Sequence, residues 1–212
     1  MRILVAGATG AVGRNLLPRL VAAGHEVVGT TRSVHKAGLI RQLGGEALVA
    51  DGLDAAAIGR AVQAAKADAI VHEMTDLKGV SDLRHFDRVF AVSNRLRTEG
   101  TDHLLAAARQ TGVKRLVAQS FCGWPFARVG GAIKLEDDPL DPEPPRQLRR
   151  TLDAIRYLEK AVRDARDIDG IVLRYGAFYG PGTCLMRRSS RRSGGDACLW
   201  LVAATAGGRS CT

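Results

Sequence analysis

Residues 1–13 read Met-Arg-Ile-Leu-Val-Ala-Gly-Ala-Thr-Gly-Ala-Val-Gly, and this stretch determines the fold class. Residues 3–6 form an unbroken apolar run, which is typical of a parallel strand that helices cover on both faces. The three glycines that follow permit a sharp turn, a close approach of the backbone to a pyrophosphate, and close packing of the next helix on the strand. We therefore predict a strand, a phosphate-binding turn and a helix start. The residues predicted to hold a dinucleotide there are Gly7, Thr9, Gly10, Ala11, Val12 and Gly13.

Five further apolar segments alternate with helical patterns along the chain. Strands are predicted at 26–30, 46–50, 69–73, 113–120 and 170–174. Helices are predicted at 11–23, 34–43, 53–64, 86–110 and 148–163, the fourth of them bent near Gly100. Strands that alternate with helices and connect by right-handed crossovers define an α/β fold with a doubly wound parallel sheet of order 3-2-1-4-5-6.

The composition is that of an ordinary globular protein. The chain has 212 residues, of which 46% are hydrophobic and 25% charged, and this length fits one domain. No apolar run reaches transmembrane length and no signal peptide precedes the first strand, so we predict a cytoplasmic protein without a membrane segment. The four cysteines lack the paired spacing of a zinc or redox motif, so no metal is predicted.

The net charge of +9 raises the question of a nucleic-acid partner. Residues 184–212 hold five arginines and one aspartate, so they contribute +4 of this charge. A cofactor with phosphate groups accounts equally well for the remaining mild excess. Nucleic acid is therefore not the expected partner, and the alternative is a basic arm formed by Arg187, Arg188, Arg191 and Arg192.

Arg32 stands at the end of the second strand, where NAD-binding proteins of this fold place an acidic residue for the ribose hydroxyls. An arginine pairs well with a 2'-phosphate, so NADP is predicted in preference to NAD. The alternative interpretation is a solvent-exposed arginine in a loop.

Other candidate cofactor residues follow the third and fourth strands, because the carboxyl ends of parallel strands face the ligand in an open sheet. Asp51 and its neighbour Gly52 follow the third strand, with Asp51 suited to accept from an adenine amino group, while Asp54 is predicted to cap the next helix. His72 and Glu73 end the fourth strand and are predicted to lie at the cofactor. A catalytic His72 competes with the interpretation of a packed structural histidine.

The chain resembles the extended short-chain dehydrogenase/reductase superfamily, specifically the NAD-dependent epimerase/dehydratase family. Four stretches carry the resemblance: Ala-Gly-Ala-Thr-Gly-Ala-Val-Gly at 6–13, the segments 99–109 and 112–120, and Leu-Arg-Tyr-Gly-Ala-Phe-Tyr-Gly-Pro-Gly at 173–182. The resemblance implies hydride transfer between a nicotinamide and a small-molecule substrate with a carbonyl or sugar-like group. It places Tyr175 and Pro181 beside the nicotinamide, and it implies a homodimer through the fourth and fifth helices.

The catalytic residues of that family are only partly present. The family's tyrosine, and the lysine four residues later that lowers its pKa, fall on Thr151 and Ile155, which cannot move a proton. Tyr157 and Lys160 are nearby but in a different register.

Three other residues remain as catalytic candidates under the resemblance. Ser120 stands where the family has a supporting hydroxyl, and Tyr175 or Tyr179 is a candidate source of a phenol. The family's asparagine precedes its helical glycine by three residues, whereas Asn94 precedes Gly100 by six, which is about one helical turn away.

The composition changes abruptly after residue 183, where arginine, serine, cysteine and glycine rise together. We predict a dinucleotide-binding domain at 1–183 and an irregular basic tail at 184–212, a frameshifted or truncated remnant of the family's substrate lobe. Three functions stay open: an NADP-preferring oxidoreductase or epimerase, a module that binds NAD(P) without turnover, and an inactive fragment.

Overall fold

The computed structural model describes residues 1–77, 86–131, 133–176 and 178, together with the backbone of 202–205. Its strands are β1 (Arg2–Ala6), β2 (Glu26–Thr31), β3 (Glu46–Val49), β4 (Ala69–His72), β5 (Arg115–Phe121), β6 (Asp169–Tyr175) and β7 (Val202–Thr205). Its helices are α1 (Gly13–Ala22), α2 (Ala37–Gln42), α3 (Ala55–Ala65), α4 (Phe86–Val89), α5 (Ala91–Arg97), α6 (Glu99–Thr111) and α7 (Arg149–Arg163).

The first six strands form the doubly wound parallel sheet that the sequence predicts. They pair in the order β3-β2-β1-β4-β5-β6, all parallel, and β7 adds an antiparallel strand beside β6. The strand order reverses between β1 and β4, so the connections that leave their carboxyl ends run in opposite directions. This switch point is where such sheets bind a ligand.

Helices cover both faces of the sheet, and each face has its own core. One face packs α1 and α2 on the sheet through Ile3, Val5, Leu17, Val27 and Ile40. The other face packs α3, α6 and α7 through a larger set that includes Leu4, Ile58, Ile70, Leu104, Leu116 and Leu158. Successive residues of β1 thus enter different cores, which is why the run at 3–6 is entirely apolar.

The predicted bent helix at 86–110 is instead three helices, α4, α5 and α6. The break between the last two lies at Thr98, with ψ of −83°, and not at Gly100. Gly100 is buried inside α6, where a Cβ would lie 3.4 Å from the methyl group of Met74. A Cβ at this distance makes an ordinary van der Waals contact, so Gly100 is neither the site of the bend nor required by the packing.

Most of the predicted basic tail lies outside the described residues, including its arginines at 187, 188, 191 and 192. Within the described residues, no helix combines the length and the hydropathy that crossing a membrane requires.

Candidate functional site

The glycine turn after β1 fits closely against the end of β4. Gly7 has φ of +91°, and a Cβ on it would lie 2.6 Å from the carbonyl oxygen of Glu73. A Cβ on Gly13 would lie 2.5 Å from the carbonyl oxygen of Ala8, so a side chain is excluded there as well. A Cβ on Gly10 would lie 3.2 Å from the carbonyl oxygen of Gly7, a tight contact, but would meet no other heavy atom within 4 Å, and Gly10 lies on the wall of the groove. The turn therefore leaves its middle glycine accessible to a ligand.

Two threonines at the end of β2 hold this turn in place. The Thr30 carbonyl accepts from the amide of Ala8 at 3.1 Å, and the Thr30 hydroxyl accepts from the amide of Gly7 at 3.3 Å. The hydroxyls of Thr9 and Thr31 lie 3.3 Å apart. The turn is thus fixed to β2 before α1 begins, and the amides of Arg14, Asn15 and Leu16 in the first turn of the helix donate to the carbonyl oxygens of Gly10 and Val12.

A groove that is partly open to solvent runs along the carboxyl ends of β1, β2, β3 and β4. Seven of the predicted cofactor residues lie together on its wall: Gly7, Thr9, Gly10, Arg32, Asp51, Gly52 and Glu73. Contacts of Ala11, Val12 and Gly13 with a cofactor stay a prediction.

Charged side chains at the β2 and β3 end of the groove already have partners. The Arg32 guanidinium pairs with Asp76 across the groove, with Nη2 and Oδ2 2.9 Å apart, and about half of the Arg32 side chain is exposed. Asp51 accepts from the amide of Leu53 at 3.0 Å. Asp54 caps α3, as predicted, by accepting from the third amide beyond it. The Asp76 partner of Arg32 was not foreseen, because the two residues lie 44 positions apart.

His72 does not face the groove as predicted. Its ring is buried, with Nε2 3.3 Å from the carbonyl oxygen of Leu96 and Nδ1 accepting from the amide of Met74 at 3.2 Å. Burial lowers the pKa of His72 to about 4, so the ring is neutral at neutral pH. Both ring nitrogens are engaged by the main chain, which leaves neither for a cofactor or a substrate. His72 therefore has a structural role at the end of β4.

Glu73, the next residue, has the most perturbed carboxyl group on the wall of the groove. Its side chain is buried, and Oε1 accepts from the hydroxyl of Tyr175 at 3.1 Å. Among the described residues, nothing hydrogen-bonds to Oε2. Burial raises the pKa of Glu73 to about 8, so the neutral acid predominates at neutral pH. Burial and the adjacent Glu73 also raise the pKa of Tyr175 well above its ordinary value, which makes that phenol a poor acid.

Ser120, predicted to offer a catalytic hydroxyl, is instead part of a buried ion-pair cluster. Its hydroxyl donates to Oε1 of Glu159 at 2.6 Å. Arg174 binds the same carboxylate with two hydrogen bonds, of 2.9 and 2.8 Å, and its guanidinium lies 5.3 Å from the centre of the Phe126 ring. The cluster ties β5, β6 and α7 together, and the Ser120 hydroxyl is committed to it. Arg174 stood within a segment that carried the resemblance, but its pairing with Glu159 was not predicted.

Thr151, at the position of the family's tyrosine, is part of a network of hydrogen-bonded polar side chains. Asp87 accepts from the amide and the hydroxyl of Thr151, at 3.0 and 2.9 Å, and Asn94 donates to that hydroxyl at 3.0 Å. The Asn94 side chain in turn accepts from Arg97 at 3.2 Å. Arg97 stands three residues before Gly100, which is the family's asparagine position. These groups satisfy one another and fix the start of α7, so Asn94 acts here as a structural residue.

Tyr157 and Lys160 lie on the surface and away from the groove. The Tyr157 hydroxyl donates to Asp102 of α6 at 2.7 Å, and Lys160 pairs with Asp164 one turn along α7. About 42% of Tyr157 is exposed. The two side chains therefore do not form a substitute for the missing catalytic pair. Tyr179 and Pro181 lie outside the described residues.

The geometry of the glycine turn makes the groove suitable for a dinucleotide. A pyrophosphate would approach Gly10 on the wall of the groove and the amino-terminal end of α1, whose dipole favours an anion. Arg32 and Asp51 lie at the end suited to the adenosine, while Glu73 and Tyr175 lie towards β5 and β6, where the second mononucleotide half of this fold binds.

Comparisons with known proteins agree with this geometry. A sequence model of the NAD dependent epimerase/dehydratase family matches residues 3–195, so the match ends inside the predicted tail. A 3-diazoavenalumate denitrifying reductase of Streptomyces sp is 42% identical over 184 residues, which are 86% of this chain and 58% of the relative.

Solved structures give the same relationship. A UDP-glucose 4-epimerase of Thermus thermophilus in complex with NAD is 25% identical with a TM-score of 0.68, over 86% of this chain and 57% of that one. A short-chain dehydrogenase/reductase superfamily protein of Agrobacterium tumefaciens with bound NAD is 30% identical with a TM-score of 0.61, over 81% and 48%. The chain thus spans about half to three-fifths of the length of these relatives.

Proposed function

The chain belongs to the NAD dependent epimerase/dehydratase family, and we propose that it binds NAD(P) in the groove and acts as a reductase of a small-molecule substrate. The observation that supports this most strongly is the glycine turn. Gly7 and Gly13 have no room for a side chain, and Gly10 opens towards the groove. When bound, the dinucleotide supplies the hydride.

We infer a preference for NADP from the charge at the adenosine end. Arg32 follows β2 directly, and Lys36 lies on the same wall of the groove. A 2'-phosphate there would compete with Asp76 for the Arg32 guanidinium, which binds phosphate well because its donors form a planar fork. The gain from the phosphate has to exceed the loss of that half-exposed ion pair, and surface ion pairs contribute only about 0–1 kcal/mol.

Reduction is favoured over epimerisation by the similarity to a reductase, and not by the residues that replace the family's catalytic pair. An epimerase first removes a proton from an alcohol, which requires a base such as a tyrosinate beside a lysine. Thr151 and Ile155 offer no such base. Reduction of a carbonyl needs a proton donor, which these two residues do not offer either, but the 42% identical relative is named as a reductase that acts on a diazo compound. The proposed acceptor is therefore an electron-poor small molecule, either a carbonyl or a diazo compound.

The second candidate function is a module that binds NAD(P) without turnover. The replacement of the family's tyrosine by Thr151 supports this module. The Thr151 hydroxyl is hydrogen-bonded to Asp87 and Asn94, so it is not available to move a substrate proton. Pairing of two copies through the α6 and α7 region also remains a proposal, to be tested by analytical ultracentrifugation.

The test is a titration with NADPH and NADH, followed through cofactor fluorescence, and then a search for oxidation. The panel of acceptors should contain aldehydes, ketones, a nucleotide-linked keto sugar and an aryl diazonium salt. Binding followed by oxidation supports the reductase, whereas binding with every acceptor left unreduced supports the module. Absence of binding contradicts both proposals.

A further inference from the structure

The carboxyl group of Glu73 is held by a partner on a distant strand. Glu73 follows β4, and its partner Tyr175 ends β6, two strands away in the sheet. Strands in a sheet lie about 4.8 Å apart, so this hydrogen bond spans roughly 10 Å of sheet above the carboxyl end of β5. Glu73 thus lies on the wall of the groove, and its partner Tyr175 lies on the β6 side of it, where the second mononucleotide half of this fold binds.

Only one of the two oxygens of this buried carboxyl group is hydrogen-bonded within the described residues. Oε1 accepts from the phenol, whereas Oε2 is buried and has no partner among the described residues. An unpaired buried oxygen costs free energy unless it carries a proton and finds an acceptor. A ligand that brings an acceptor atom to Oε2 would remove that cost.

We propose that Glu73, positioned by Tyr175, is the proton donor for the proposed reduction. Thr151 and Ile155, which stand at the positions of the family's catalytic tyrosine and lysine, cannot donate this proton. This inference rests on the proposed reductase function and adds the residue that completes it. In reduction of a carbonyl, the Oε2 atom of Glu73 turns from its buried position towards the groove, the carbonyl carbon accepts the hydride and the carbonyl oxygen accepts the proton from Oε2. The product is the alcohol, NAD(P) is left oxidised, and the Glu73 carboxylate regains its proton from solvent.

The protonation behaviour of the site agrees with this assignment. A general acid works best with a pKa near the working pH, and the pKa of Glu73 is raised to about 8. The phenol of Tyr175 is the weaker acid of the two, because its pKa is raised further from neutrality. Tyr175 is therefore the positioning residue, and its hydrogen bond holds the pKa of Glu73 below the value that burial alone would give.

The groups around this carboxyl do not provide a competing acid. His72 precedes it but is buried and neutral, with both nitrogens bound by the main chain. Asp76 follows it but pairs with Arg32. Cys122, after β5, has a thiol whose pKa burial raises.

The first experiment needs no turnover. Infrared difference spectra of the free protein between about pH 6 and about pH 9 should contain the carbonyl band of a protonated carboxyl that titrates near pH 8. Glu73→Gln should abolish this band, and Tyr175→Phe should move its titration to higher pH. The matched control, Glu26→Gln, changes an exposed carboxylate at the amino end of β2 and should leave the band unchanged. A band that persists in Glu73→Gln would overturn the proposal.

The second experiment measures single turnovers of NADPH with the carbonyl acceptor that the wild type reduces. Glu73→Gln should slow the reduction by about 10²–10³-fold and bind NADPH with unchanged affinity, since general acids contribute rates of that size. The wild-type rate should fall above about pH 8, and this fall should be absent in Glu73→Gln. Wild-type rates in Glu73→Gln would refute the role of Glu73 and leave the reductase standing. A wild type that reduces no carbonyl acceptor would overturn both claims for carbonyl substrates.

Discussion

Replacing Glu73 by glutamine should remove a large part of the pH dependence of folding above neutrality. The folded-state pKa of Glu73 is about 8, against 4.5 in its ordinary state. Between these values the folded protein holds a proton that the unfolded chain has lost, so the free energy of unfolding falls as pH rises. From about pH 6.5 to about pH 9 this fall amounts to about 2 kcal/mol. Glutamine keeps the shape of the neutral acid and does not titrate.

Urea unfolding at a series of pH values measures this effect directly. The range begins at about pH 6.5 because the lowered pKa of His72 makes the folded protein lose stability below its ordinary value of 6.5. Burial also raises the pKa of the Cys122 thiol, but Cys122 is present in both proteins, so its effect on the free energy of unfolding cancels in their difference. The exposed control Glu26→Gln should follow the wild-type curve.

The two curves should therefore converge towards low pH and diverge by about 2 kcal/mol at about pH 9, with Glu73→Gln the more stable protein there. Parallel curves for wild type and Glu73→Gln over this range would contradict a raised pKa at Glu73. They would mean that the Glu73 carboxyl is already ionised, or that its surroundings are wetter than the buried contact with Tyr175 implies.

Three further substitutions test other parts of the site. Arg32→Asp should lower the ratio of NADP to NAD affinity by roughly 10- to 100-fold, which corresponds to the loss of one charged hydrogen bond. If titrations with both dinucleotides give the same ratio for wild type and Arg32→Asp, the assignment of Arg32 to the 2'-phosphate is contradicted. Asp76→Asn should raise that ratio, because it releases Arg32 from its ion pair. Arg174→Met should lower the free energy of unfolding by about 3–5 kcal/mol, since it leaves the buried Glu159 carboxylate unpaired. The double variant Glu159→Met/Arg174→Met should recover most of this loss in urea unfolding, and a double variant no more stable than the single one would count against a buried charge as the cause.

The sheet was predictable because its strands leave a strong signal in the sequence. Each parallel strand is covered on both faces, so Ile3, Leu4 and Val5 are all apolar although they enter two different cores. The strand order follows from alternation with helices and the handedness of crossovers. The break of the long helix at Thr98 was not predictable, because it depends on tertiary packing and not on the glycine two residues later.

The candidate site shows what a sequence pattern leaves undecided. The end of β4 was predicted to face the ligand, and both His72 and Glu73 were assigned to it. Side chains of successive strand residues point to opposite sides, so only one of the two was able to face the groove. The sequence pattern identifies the edge of the sheet, but it does not say which of these two side chains points towards the groove.

Long-range pairs account for the other differences. Glu73 and Tyr175 lie 102 positions apart, and Ser120 and Glu159 lie 39 apart, so no local pattern joins them. The resemblance placed Ser120 near the reaction because of its position after β5. In the structure the Ser120 hydroxyl donates to the buried carboxylate of Glu159 instead. The role of a hydroxyl therefore depends on its partners in the fold.

A variant of the glycine turn gives the sharpest test of dinucleotide binding. Gly10→Val places a side chain on the wall of the groove, with its Cβ 3.2 Å from the carbonyl oxygen of Gly7, and should weaken NADPH binding by more than about tenfold, while urea unfolding establishes that the variant is folded. Gly38→Ala is the matched control, because a Cβ there has nothing within 4 Å. We predict wild-type binding in Gly38→Ala and its loss in Gly10→Val. Equal NADPH affinity in a folded Gly10→Val protein would contradict a dinucleotide bound at this turn.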